Sequence, residues 1–232
     1  MVSIRNIVAG VAAVAVALGC GGCSEGENEN LTVDSILYDV AELAENDADG
    51  TVFKVYRPAG DECALLRAPG GSLGSDPELE AGDCVFLAYE ADNGEAYRSG
   101  DIRVLNWGPV LNSALLKGTP ESLDGWDKDA VWLQSLWRAG NKVIIRAMLS
   151  YDQEPRVFAL VADETTLGDE YPEAYLVHMR RTEQPNFKRQ FYAAFDVGAL
   201  WSYESCRGLR IHVRNSNVPE AGVFVVEKYP GR

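Results

Sequence analysis

The sequence predicts an all-β protein of two modules, a small barrel followed by an antiparallel β-sandwich. Three observations carry this. Short runs rich in β-branched and aromatic residues recur about ten to fifteen residues apart, with Gly, Pro, Asn and Asp between them. These runs do not alternate with long amphipathic helices, which argues against a parallel α/β sheet. Charge is divided unevenly: residues 34–117 hold 16 acids and 6 bases, net −10, whereas residues 118–232 hold 16 acids and 14 bases, net −2. Such asymmetry suggests two modules. With 47% apolar and 24% charged residues, the 232-residue chain can bury a core in each.

Residues 1–19 read as a signal peptide. Arg5 precedes an apolar run from Ile7 to Leu18 that is too short to span a bilayer but fits a signal-peptide core. The run stops at Gly19-Cys20, which resembles the lipobox of bacterial lipoproteins. In that resemblance a peptidase cuts before the cysteine and the thiol carries diacylglycerol. Cys20 is the expected lipid attachment site and Cys23 the alternative. The common pattern has Leu three places before the cysteine, where this chain has Ala17. An ordinary secretory signal cut near Gly22 is the competing reading. Residues 20–33 then form the lipidated cysteine and an acidic tether, SEGENEN at 24–30. Acids just behind a lipidated cysteine resemble a surface-export signal of Bacteroidetes lipoproteins. The expected location is the outer membrane, at its periplasmic face or the cell surface, with the surface favoured.

The first module, 34–117, offers strands at 38–44, 51–56, 63–67, 84–90 and 101–107. Turn signals sit at Asp49-Gly50 and Asp92-Asn93-Gly94. The first strand is contested, because Ile36, Leu37, Val40, Leu43 and Ala44 fit a helical face. Five strands in so short a stretch suit an OB-like barrel. A turn-rich segment at 117–128 marks the seam. The second module, 118–232, offers strands at 130–137, 142–148, 156–162, 174–180, 190–196, 209–213 and 222–226, spaced as in a sandwich.

Several stretches together resemble the NigD-like lipoproteins of Bacteroidetes. They are Gly82-Asp83-Cys84-Val85-Phe86-Leu87-Ala88-Tyr89, Val131-Trp132-Leu133, Tyr175-Leu176, Phe195-Asp196-Val197 and Gly208-Leu209-Arg210-Ile211-His212-Val213. The match is one of layout. It departs at 177–181, where this chain reads VHMRR against a Leu-Arg-His-Asn-like run. The resemblance implies an OB-like N-terminal domain, a C-terminal β-sandwich, a strand at 38–44 and a lipoprotein location. It implies no enzymatic activity.

Candidate chemistry is sparse. Gly70-Gly71-Ser72-Leu73-Gly74 matches G-x-S-x-G, but Ser75-Asp76-Pro77 follows where a nucleophile elbow needs a helix. Glu45, Asp47, Asp49 and Gly50 imitate the start of a calcium loop, yet Tyr56 stands where a bidentate Glu is required. A hairpin turn explains that segment. The two histidines, His178 and His212, are too far apart in sequence to suggest zinc, and His212 reads as solvent-facing. Cys63 and Cys84 lie in one module and form the candidate disulfide; buried free thiols are the alternative. Trp107, Trp126, Trp132, Trp137 and Trp201 offer stacking surfaces or core, with Trp126 in the seam the best exposed or inter-domain candidate.

No residue is nominated as catalytic, and no metal or cofactor is expected. A strongly acidic barrel argues against nucleic acid. The reading is a lipid-anchored outer-membrane protein with a non-catalytic accessory, adhesion or ligand-binding role. Its expected partners are the membrane, through N-terminal acyl chains, and an envelope protein or oligosaccharide. The alternatives are an envelope hydrolase acting on glycans and a bacteriocin-immunity or stress protein. The discriminating feature is a cleft: convergent carboxylates favour the enzyme, aromatic walls without them favour binding.

Overall fold

A computed structural model of the protein describes residues 36–47, 49–57, 62–70, 73, 79–150, 156–181 and 187–228. Cys20, Cys23 and the acidic tether lie outside the described residues. The fold is all-β, a small OB-like barrel followed by a β-sandwich.

Strands β1 (Ile36–Asp47), β2 (Gly50–Tyr56), β3 (Cys63–Pro69), β4 (Cys84–Ala91) and β5 (Gly100–Pro109) close the barrel in the order β1-β2-β3-β5-β4. Only β3 and β5 run parallel, as the OB connectivity requires. Alternate residues turn inward, so Phe53, Val55, Leu66, Val85, Leu87 and Tyr89 fill the interior. Each large apolar side chain buried there contributes about 1.5–3 kcal/mol.

The contested segment is strand β1. Its inward residues Ala41 and Leu43 belong to the barrel core, while outward Val40 packs against the sandwich. A bulge between Leu43 and Glu45 then shifts the phase. Burial on both faces plus a bulge produces apolar spacing that mimics a helical stripe.

The remaining strands are β6 (Leu111–Ala114), β7 (Leu116–Gly118), β8 (Trp132–Ala139), β9 (Lys142–Ser150), β10 (Val157–Asp163), β11 (Glu173–Met179), β12 (Lys188–Asp196), β13 (Gly208–His212) and β14 (Val223–Glu227). They form a five-stranded sheet, β14-β13-β11-β10-β7, and a four-stranded sheet, β6-β12-β9-β8. Val143, Ile145, Ala147 and Phe195 from one sheet meet Leu160, Leu176 and Ile211 from the other. A one-turn helix, α1 (Gly198–Trp201), adds buried Leu200 and Trp201 to this core. The sheets are mixed rather than purely antiparallel, since β6 and β12, β7 and β10, and β11 and β13 pair in parallel.

The chain enters the sandwich earlier than the expected seam at 117–128. Strands β6 and β7 leave the barrel and pair with β12 and β10, one in each sheet. They are too short to display a period-two pattern, which hid them in the sequence. The turn-rich seam instead carries a 3-10 turn (Pro120–Leu123), and Trp126 beyond it packs on the five-stranded sheet.

Candidate functional site

The site lies where the barrel meets the four-stranded sheet. Outward residues of β1, β2 and β4 face outward residues of β8, β9 and β12. Val40, Tyr56, Cys84 and Phe86 pack with Val110, Trp137, Ala139, Ile144, Tyr192 and Ala194 into a shared apolar cluster.

Polar contacts lock this junction. Lys142 on β9 donates from Nζ to Glu42 Oε2 at 2.7 Å, across the boundary between modules. Lys54 Nζ donates to Glu42 Oε1 at 3.3 Å, and the Tyr56 hydroxyl donates to Oε2 at 3.4 Å. Burial alone would raise the Glu42 pKa, but the bonds and charges of Lys142 and Lys54 outweigh it and hold it below the usual value. The same burial, with Glu42 beside it, pushes the Tyr56 hydroxyl strongly upward. Asn112 on β6 bonds β4 as a strand would: Cys84 N–H donates to its Oδ1 at 2.7 Å, and its Nδ2 donates to the Cys84 carbonyl at 3.0 Å. At the β8–β9 turn, Gly140 has φ +57 and lies flat against the Tyr56 ring; a Cβ there would sit 2.5 Å from Tyr56 Cζ.

At the edge of this cluster the two modules leave a cleft of about 270 Å³. Its walls are Tyr38, Tyr56, Phe86, Tyr97, Trp137 and Tyr192, with Asp39, Ser135 and Arg146 supplying polar groups. Phe86 stacks between Tyr38 and Tyr192, ring centres 6.1 and 4.9 Å away. The Arg146 guanidinium lies 6.0 Å from the Tyr192 ring centre. Aromatic faces combined with a few hydrogen-bonding groups suit a flat ligand with polar edges.

Among the described residues one carboxylate, Asp39, lines the cleft, and a second, Glu42, lies nearby in the junction. Burial raises the Asp39 pKa against the opposing hydrogen bonds of Tyr89 and Tyr97; the Tyr89 hydroxyl donates to it at 2.8 Å. Glu42, three residues on along β1, does not line the cleft and is held by Lys54 and Lys142, so no second carboxylate converges with Asp39 there. Among the described residues no group of three or more His, Cys, Asp and Glu gathers to hold a metal.

The sequence candidates are dispersed. Cys63, Cys84 and Cys206 are free thiols, so the expected Cys63–Cys84 disulfide is not formed. Cys63 lies on β3 and Cys84 on β4, strands that are not neighbours in the closed barrel: β5 stands between them one way round, β2 and β1 the other. Cys84 is buried in the junction, and burial pushes its thiol up to about 12. Asp47 accepts the Asp49 and Gly50 N–H groups at 2.9 and 3.2 Å, closing the β1–β2 hairpin. Gly70 follows β3 and Leu73 packs in the barrel core, while Gly71, Ser72 and Gly74 lie outside the described residues.

His178 is buried, and desolvation aided by nearby Arg156 lowers its pKa to about 4. His212 is not simply solvent-facing: Nε2 meets Glu173 Oε2 at 2.6 Å, and the ring stacks on Tyr175 at 4.6 Å. Trp126 packs edge-on against Tyr175 at 5.2 Å, away from the junction, so it is not the inter-domain residue. Trp107 packs on the barrel core and Trp201 is buried; Trp132 and Trp137 alone of the five present rings on the outer face of β8. Tyr38, Phe86, Arg146 and Tyr192 were missed, although each is an outward residue of a strand whose inward neighbours are apolar.

No protein-family model and no curated protein matches the chain. Solved structures match along most of its length. A protein of unknown function, DUF1344, from Bacteroides vulgatus superposes with a TM-score of 0.64 at 17% identity, covering 84% of this chain and 92% of that one. A NigD-like immunity protein from Bacteroides caccae superposes with a TM-score of 0.55 at 13% identity, covering 85% and 96%. The fold is NigD-like. A candidate lipoprotein from Bacteroides fragilis shares this NigD-like fold, with a TM-score of 0.54 at 14% identity over 84% and 98% of the two chains. Among the described residues no helix is long and apolar enough to cross a membrane.

Proposed function

We propose that this protein is a lipid-anchored envelope protein that binds oligosaccharide without cleaving it, in the cleft between barrel and sandwich. The observation that carries the reading is the cleft wall: stacked Tyr38, Phe86 and Tyr192 with Trp137 and Arg146, and a single lining carboxylate, Asp39, among the described residues. Sugar rings place C–H faces on aromatic rings and direct hydroxyls to groups such as Ser135 and Arg146. Anchoring at Cys20, with Cys23 as the alternative, would hold the site near the outer membrane. The NigD-like fold shared with a candidate lipoprotein supports that placement.

Calorimetric titration of the full chain with neutral and acidic oligosaccharides tests the reading. Tyr192→Ala should weaken binding roughly five- to tenfold, the size of one aromatic stacking contribution. Chromatography of the oligomers afterwards should return them at full length. Shortened products would establish a hydrolase instead, and absence of binding to every oligomer would remove the glycan reading.

A second reading, immunity against a bacteriocin, is favoured by the fold shared with the NigD-like immunity protein. Deleting the gene and challenging cells with a competitor's bacteriocin tests it; unchanged sensitivity counts against it.

A further inference from the structure

The outer face of the four-stranded sheet beyond the cleft is not featureless. On β9, Val143, Ile145 and Ala147 face the sandwich core, so Ile144, Arg146 and Met148 face outward. Ile144 is fully buried beneath the barrel, whereas Arg146 is exposed, so the barrel's cover ends between them. Past that edge Met148 lies opposite Trp132 on β8 and Gln190 on β12. Trp132 keeps 39% of its surface exposed, and the Lys188 ammonium stands 4.1 Å from its ring centre. Between this tryptophan and the cleft runs a polar link. Arg146 Nη2 donates to Gln190 Oε1 at 3.4 Å, and Gln190 Nε2 donates to Gln134 Oε1 at 2.5 Å. From Tyr192 in the cleft wall to Lys188 is four residues of β12, about 13 Å.

The charge of this strip is opposite to that of the molecule. The chain carries net −14, yet Arg146 and Lys188 have no carboxylate partner among the described residues. Their recorded partners are aromatic rings and an amide. A half-buried aromatic in the cleft wall, an exposed tryptophan, amides between them and two cations complement a chain of flat rings bearing negative charge. Two cations over such a length are too few to track the denser phosphates of a nucleic acid.

Resting on the reading of the cleft as an oligosaccharide site, we propose that the site continues across the outer face of β8, β9 and β12. It takes an acidic oligosaccharide: one ring stacks in the cleft, a later ring stacks on Trp132, and Arg146 and Lys188 meet ring carboxylates.

The test is titration of the full chain with digalacturonate, hexagalacturonate and the fully methyl-esterified hexamer, which keeps the rings and removes the charge. The acidic hexamer should bind about tenfold more tightly than either the dimer or the ester, one stacking or charge contribution in each case. Trp132→Ala should cost the hexamer about tenfold and leave the dimer unchanged. Lys188→Met should shrink the difference between acid and ester, and raised salt should shrink it likewise. If ester and acid bind equally, the oligosaccharide reading stands and the acidic extension falls. If no form binds, both fall. An equal response to Trp132→Ala in dimer and hexamer overturns the second subsite, and comparable binding of a single-stranded DNA oligomer overturns the ligand class.

Discussion

Gly140 is the residue on which the junction turns. A side chain there meets the Tyr56 ring and sits in a left-handed conformation. Gly140→Ala should destabilise the protein by roughly 2–4 kcal/mol in urea unfolding, combining left-handed strain with overpacking. Tyr56→Ala in the same chain should restore the overpacking part; additive costs would contradict the contact. The thiols give a second residue-scale test. Cys63 is exposed at the start of β3, while Cys84 and Cys206 are buried. Alkylation of the native chain followed by peptide mass spectrometry should label Cys63 and leave Cys84 and Cys206 unlabelled until denaturant is added. Labelling of Cys84 at the native rate of Cys63 would mean that the junction opens readily.

At the scale of elements, the β1–β9 contact joins two modules through one carboxylate. Glu42 bonds Lys54 within the barrel and Lys142 across the junction. Glu42→Gln should cost about 1–2 kcal/mol at neutral pH, because a charged hydrogen bond is lost at a largely covered site. The folded pKa of Glu42 lies below the ordinary 4.5, so its contribution is present above pH 4.5 and disappears as pH falls through the folded value. Urea melts at stepped pH should therefore show a shallower acid decline for Glu42→Gln than for the parent. Parallel declines would show that the pair contributes nothing. Strand β1 also shows why one element misleads when read alone: Val40 is apolar because the sandwich covers it, a fact outside β1 itself.

For the whole molecule, strands β6 and β7 decide where one module can be separated from the other. A fragment of residues 111–232 should fold with β-type circular dichroism and a cooperative melt. A fragment of residues 118–232 loses an edge strand from each sheet and should melt several degrees lower or fail to fold. Equal melting would mean that the β6 and β7 pairings carry no stability. Anchoring is the other question at this scale. Cys20→Ser should abolish incorporation of a fatty-acid analogue and move the protein out of the membrane fraction, since several acyl chains are needed for stable attachment. Cys23→Ser should change neither; loss of label from Cys23→Ser would move the cleavage site to the second cysteine.

The twelve strands expected from sequence all reappear, as β1 to β5 and β8 to β14, because most strands write their buried face into neighbouring residues; β1 does not, and only the family resemblance implied a strand there. The net −10 of residues 34–117 was equally legible, being a count. The short strands β6 and β7 were not, because three or four residues cannot display a period. Nor was the fate of Cys63 and Cys84, which share a module but lie on strands that the barrel order keeps apart. The cleft was hidden for a related reason. Tyr38, Phe86, Trp137 and Tyr192 come from four strands in two modules, and each reads alone as an ordinary outward residue. Alternation tells which side of a sheet a side chain takes. What stands opposite that side depends on how barrel and sandwich dock, and that is set by contacts such as Glu42 with Lys142 and Tyr56 with Gly140, between residues far apart in the chain.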